Sequence, residues 1–211
     1  MYIPKFNEET RTPVLHQLMH KRPLASLITF GRSGLFASHL PMILEVREVD
    51  TLGMLKCHVS RANAQWKDFD SEVEALAIFS GAKHYISPNW YAEKQATGKV
   101  VPTWNYAVVH AYGYLKVMED TEWLRAHVES LTKIHESGMS QPWAVSDAPV
   151  EYVAAMLRGI VGFEMQITRL EGKWKVSQNR SESDRRGVVD GLDALDTPEA
   201  QEMARLVEDT L

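Results

Sequence analysis

Residues 23–44, PLASLITFGRSGLFASHLPMIL, hold two apolar runs joined only by Gly31, Arg32, Ser33 and Gly34. So short a link makes the runs antiparallel neighbours, and its glycines supply the positive φ angles that a tight hairpin requires. The remaining elements must be compatible with that hairpin. Residues 52–60 and 75–81 have the apolar content of two further buried strands, with the polar RANAQWKDF between them. KVVPTWNYAVVHAYGYL (99–115) reads as a strand entered through Pro102, which fixes φ, donates no backbone hydrogen bond and suits a strand's first residue or a sheet edge. VGFEMQITRLEG (161–172) sets Phe163, Met165 and Ile167 against Glu164, Gln166 and Thr168, the period of a half-buried strand, and Gly172 is expected to turn it into KWKVSQNR.

Helical spacing is found over 14–19, behind a cap within 7–10 and ended by Pro23. It recurs over 121–136, where Leu124, Val128 and Leu131 follow the candidate caps Asp120 and Thr121, and around Val153, Met156 and Leu157. The charged tail from Ser181 is also helical in pattern, with Leu192, Leu195, Met203, Leu206 and Val207 as its apolar positions. NWYAEKQATGK (89–99) is irregular and reads as a loop whose rings serve contact rather than a deep core. Short connections between strands favour antiparallel neighbours, so the expectation is an α+β domain round a small barrel of about six or seven strands with flanking helices. No linker divides it; residues 1–192 form the domain and 193–211 a C-terminal helical extension.

A formal charge of -5 gives no whole-molecule positive field for a phosphate backbone, and no helix-turn-helix with a basic recognition helix is visible, so direct DNA binding is not expected. Cys57 is the one cysteine, which excludes an intrachain disulfide and a four-thiolate zinc site and suits a reducing cytoplasm. Neither an export signal nor a run of about 18 apolar residues is present, so membrane spanning is not expected. HExxH, GxSxG, GxGxxG and P-loop patterns are absent; His16 and His20 lie four apart but lack a third ligand nearby, and no metal site is expected. Any bound phosphate must therefore be held by side chains.

Four segments offer such side chains at strand ends: HVSRANAQW (58–66), SPNWY (87–91), KVVPTWNY (99–106) and KWKVSQNR (173–180). Between them they supply cations, hydroxyls, amides and aromatic rings. Rings can lie against a flat heteroaromatic ligand, amides can meet its polar edge, and Arg or Lys can pair with its phosphate.

These segments, with MYIPKF, GLFASHLP, ALAIFSG and IVGFEMQITRLEG, resemble the PaiB-like family of FMN-binding negative transcriptional regulators over nearly all of residues 1–192. The resemblance implies a split β-barrel that binds FMN between the subunits of a homodimer. It places Ser60 and Arg61 at the phosphate, with His58, Ala62 and Asn63 beside it. Lys99 and Thr103 become further phosphate or ribityl contacts, and Trp104, Asn105 and Tyr106 lie by the ring or its edge. Trp174, Gln178 and Arg180 resemble residues that reach in from the second subunit. A rival reading is a flavin-dependent oxidoreductase using NAD(P)H and a small acceptor, with His58, Tyr106 or His110 as proton donor.

Overall fold

The computed structural model describes residues 1–46 and 52–211. In chain order, β1 (Glu8–Glu9) and helix α1 (Thr12–Lys21) are followed by β2 (Leu24–Gly31), β3 (Gly34–Pro41), β4 (Ile43–Glu45) and β5 (Met54–Ser60). A short helix, α2 (Gln65–Asp68), leads to β6 (Ala75–Ile86), and α3 (Glu93–Thr97) precedes β7 (Thr103–Met118). Then come α4 (Thr121–Glu136), α5 (Val150–Arg158), β8 (Ile160–Lys175), α6 (Glu182–Asp193) and α7 (Pro198–Glu208). The strands form one eight-stranded antiparallel sheet in the order β3-β2-β6-β7-β8-β5-β4, with β1 paired to β8. The strands beyond the expected number include the two-residue β1 and three-residue β4, both too short to leave a periodic signal. Among the described residues no helix is long and apolar enough to cross a membrane.

Two compact units divide the chain: residues 1–18, 79–110 and 171–211 form the first, residues 19–78 and 111–170 the second, so that β6, β7 and β8 each contribute to both. In the second unit the hairpin pairs Leu24 with Pro41 and Gly31 with Gly34. Only Gly34 needs the left-handed region, with φ of 95°. Gly31 is there for a different reason: a Cβ would overlap the carbonyl of Asp68, which passes directly over it. β5 lies between β4 and β8, and its alternation buries Leu55, Cys57 and Val59 alongside Val161, Phe163 and Met165. Asp120 caps α4 by accepting from the Trp123 backbone N–H at 2.8 Å, and Leu124 packs with Val145, Val153 and Leu157 beneath α4 and α5.

The first unit corrects two expectations. β8 runs straight through Gly172 to Lys175 instead of turning, because Gly172 pairs with Glu9 and a side chain there would collide with Leu15 and the Glu9 carbonyl. Within the 89–99 stretch two rings belong to the core: Tyr91 is buried, and Trp90 packs with it against Ile86, Val176, Val188, Leu192, Met203 and Val207. Gly187 and Gly191, one turn apart on α6, open the space that Trp90 fills. α7 contributes Ala200, Met203, Ala204 and Val207 to the same cluster.

Candidate functional site

In the second unit the period of β5 decides which side chains face out. With Leu55, Cys57 and Val59 inward, Lys56, His58 and Ser60 share the opposite face. Lys56 Nζ is 2.7 Å from Glu45 and 3.9 Å from Glu164, its cross-strand partner on β8. His58 Nδ1 lies 3.0 Å from His127 Nε2 on α4, and the His127 ring stacks on Trp123 with centroids 5.1 Å apart. Trp123 donates from Nε1 to Glu164 at 2.8 Å. Gly162, opposite His58 in the ladder, makes room for that indole, since a Cβ would overlap it. Burial, then His58 and Lys56, push the His127 imidazole down to about 4, and burial lowers His58 as well. Cys57, buried beneath, is pushed up to about 12 by desolvation and is an inert thiol.

Past Ser60 the chain turns sharply. Asn63 N–H donates to the Ser60 carbonyl, and Asn63 spends its side chain locally, accepting from Gln65 N–H at 2.9 Å and donating to Ser38 Oγ at 3.0 Å. Ala62 is exposed, its N–H 3.3 Å from Ser60 Oγ. The Arg61 backbone donates to Gly159, while its Nε and Nη2 donate to the carbonyls of Arg158 and Ile160 at 3.0 and 3.1 Å. Those bonds orient the guanidinium. Its Nη1 meets Glu119 at 2.6 Å, in a pair whose side chains are 38% and 53% exposed.

The first unit holds the other expected residues. Lys99 is exposed in the loop before β7. Trp104 is 56% exposed and meets Tyr85 edge to face, while Tyr106 is half-buried with Lys173 Nζ 5.2 Å from its ring centre. Asn105 is buried; its amide donates to Ser177 Oγ at 2.9 Å, and its carbonyl oxygen has no hydrogen-bond partner. Thr103 Oγ1 and the Trp104 carbonyl both accept from Lys175 Nζ. Gln178 closes its own turn, donating to the Trp174 carbonyl and accepting from Val176 N–H at 2.8 Å. Trp174 packs on the cluster of α6 and α7, and the Arg180 guanidinium lies 4.5 Å over the Tyr91 ring.

Lys173 and Lys175 sit inside the quoted KWKVSQNR but were not singled out there; they join Arg180 in one cationic set. Burial first, then Lys173 and Arg180, lower the Lys175 ammonium. His127, Trp123 and Glu119 were missed altogether. The one available signal was the spacing of Trp123 and His127, four apart and so on one face of the amphipathic helix.

Taken separately, each unit carries donor chemistry that suits FMN. An oriented, half-exposed guanidinium suits a phosphate oxygen, mutually repelling cations at Lys173, Lys175 and Arg180 would be relieved by an anion, and exposed Trp104 offers a ring face.

The comparisons agree. The family model described as "Putative FMN-binding domain" matches residues 1–169. "Protease synthase and sporulation protein PAI 2" of Bacillus subtilis is 30% identical over 211 residues, covering 100% of this chain and 98% of that protein. An uncharacterised protein of Emericella nidulans is 35% identical over 99% of this chain and 97% of its own. Among solved structures, the flavocytochrome Anf3 from Azotobacter vinelandii matches with TM-score 0.59 at 14% identity, over 88% of this chain and 78% of that one. The FAD and heme binding protein from Mycobacterium smegmatis matches at 0.55 and 13%, over 80% and 73%. At those identities the structures bear on fold alone, and the fold is the antiparallel split barrel. With strand pattern, donor set and family model in agreement, the chain belongs to the PaiB-like family of FMN-binding split-barrel proteins, and its cofactor is FMN.

Proposed function

We propose that the protein is a cytoplasmic homodimer that binds FMN and takes part in negative regulation of transcription through a protein partner or metabolite, without reading DNA itself. The observation that carries the flavin reading is Arg61. Two backbone carbonyls hold its fork in place through Nε and Nη2, and its Nη1 meets a half-exposed carboxylate. Exposed pairs of that kind contribute about 0–1 kcal/mol, so a phosphate oxygen can take over from Glu119 at little cost. Ser60 adds a hydroxyl beside it. In the first unit, Lys99, Thr103 and the Lys173, Lys175 and Arg180 set offer further phosphate and ribityl contacts, with the Trp104 and Tyr106 rings for the isoalloxazine and Trp174 and Gln178 shaping the turn that carries Arg180. FMN when bound supplies a redox-active ring; the chain's own residues bind it, orient it and cover it.

A second copy is the reading for the exposed rings of Tyr2, Tyr85 and Trp104, which would otherwise stay in water. A hollow of about 350 Å³ in the same unit, lined by Ser80, Lys83, Tyr106, Val108 and His110, adds surface for such a contact. The regulatory part is supported by the family resemblance and by the Bacillus subtilis relative, which is named as a protease synthase and sporulation protein. The charge of -5 argues against direct operator contact.

Titrating FMN against purified protein and following flavin fluorescence tests the core of this reading, with saturable binding expected and its absence refuting it. Sedimentation as a monomer at micromolar concentration would remove the homodimer. Bleaching of the bound flavin by NADH or NADPH in stopped flow would favour an oxidoreductase instead, and a specific gel shift at about 50 mM salt, where electrostatic binding is strongest, would reinstate direct DNA contact.

A further inference from the structure

The ion pair between Arg61 and Glu119 has unequal members. Arg61 is fixed from several directions: Nε and Nη2 donate to the Arg158 and Ile160 carbonyls at 3.0 and 3.1 Å, its backbone N–H donates to the Gly159 carbonyl, and its own carbonyl accepts from Trp66 Nε1 at 2.9 Å. The Trp66 ring also lies against it, with the guanidinium carbon 5.7 Å from the ring centre. Glu119 has no such framework. It stands between the end of β7 and Asp120, the cap of α4, with its side chain 53% exposed. Among the described residues, Arg61 is the one hydrogen-bond or ion-pair partner of that side chain. The carboxylate can therefore leave by rotating about its own bonds, breaking nothing else, while the guanidinium stays aimed. Swung away, it is hydrated and still near the positive end of α4, so its release leaves no charge stranded.

We propose that Glu119 is an internal competitor for the phosphate seat: its carboxylate holds Arg61 Nη1 until the phosphate of FMN displaces it, and it thereby sets flavin affinity below what Arg61 alone would give. This rests on the reading of Arg61 as the phosphate contact. The exchange is anion for anion. A neutral ribityl hydroxyl does not displace a carboxylate from a guanidinium, because charge-assisted hydrogen bonds are roughly twice as strong as neutral ones, whereas a phosphate dianion does. Two consequences separate this role from packing. Removing the carboxylate tightens FMN and leaves riboflavin where it was. Wild-type protein also trades one ion pair for another on binding, so salt weakens both sides of the exchange; without Glu119 a new ion pair forms, and salt opposes binding alone.

FMN and riboflavin are titrated into the full chain and followed by flavin fluorescence, at about 0.01 M and about 0.15 M salt, between which the screening length falls from about 30 to about 8 Å. Glu119→Gln should tighten FMN about two- to fivefold at low salt, the worth of an exposed pair, with riboflavin unchanged. Its FMN affinity should fall more steeply with salt than that of the wild type. In an Arg61→Ala background the same substitution should change nothing. Glu119 is half-exposed and its replacement keeps its shape, so the fold is not at risk, and near-UV circular dichroism checks this. FMN affinity unchanged or weakened in Glu119→Gln, while Arg61→Ala still loses about tenfold or more, overturns the competitor and leaves the phosphate reading standing. Equal tightening of riboflavin overturns it as well, as does tightening that persists without Arg61. FMN affinity that Arg61→Ala does not move overturns both.

Discussion

Lowering the pH from 7.5 to 4.5 should destabilise this protein through one identifiable side chain. His127 titrates near 6.5 in an unfolded chain and at about 4 in the folded one, where burial, His58 and Lys56 all oppose its charge. The folded state therefore refuses a proton that the unfolded state accepts. Stability is full above pH 6.5 and is lost as pH falls from about 6.5 to about 4, with a slope of at most about 1.4 kcal/mol per pH unit. Integrated over that window the loss is about 3 kcal/mol, a large part of a typical domain's stability. His58 adds in the same direction, being lowered by burial too. Urea unfolding, followed by tryptophan fluorescence at several pH values, measures this directly. His127→Phe keeps a ring against Trp123 but cannot titrate, so the difference between wild type and variant should shrink steadily below pH 6.5. Parallel stability curves for the two proteins from pH 7 to 4.5 would refute the assignment.

Three further outcomes are expected. Arg61→Lys should weaken FMN binding nearly as much as Arg61→Ala, by about tenfold or more, because a single ammonium cannot hold two carbonyls and a phosphate oxygen at once; equal affinity for wild type and Arg61→Lys in a fluorescence titration would remove the fork from the site. Gly162→Ala should cost about 1–3 kcal/mol by forcing the Trp123 ring and α4 off the sheet, visible as a drop in urea midpoint and a red-shifted emission, and an unchanged midpoint would contradict the close approach. Truncation before Thr197 strips Met203 and Val207 from their cluster, a loss of about 3–6 kcal/mol of burial, and should make α6 sensitive to limited proteolysis; a resistant α6 would mean that α7 is dispensable.

How much of this was legible in the sequence depended on whether a residue's partner lies nearby in the chain. The hairpin, the strand over 161–170 and α4 with its Asp120 cap are local patterns, and each was readable as such. Gly31 and Gly172 were not, because both were read as bending the chain while their task is to let a distant carbonyl or side chain come close. Trp90 and Tyr91 looked like loop residues for the same reason: their burial is created by two glycines on a helix about a hundred positions later. At the site, the residue types in HVSRAN pointed to phosphate chemistry. What composition could not tell was that Asn63 is consumed by the turn, that Arg61 is steered by two carbonyls, and that His58 turns toward a histidine on α4.

The division into two interleaved units orders events during synthesis. The second unit has all its residues once Leu170 has been made, whereas the first lacks the tail of β8 and the helices α6 and α7 until Glu208 has been made. At about 5–20 residues per second, the remaining stretch of about forty residues leaves the loop around Trp90 unsheltered on the nascent chain for a few seconds. During that interval the indole is bare apolar surface, a place where a chaperone can hold on and where premature association between neighbouring chains would begin.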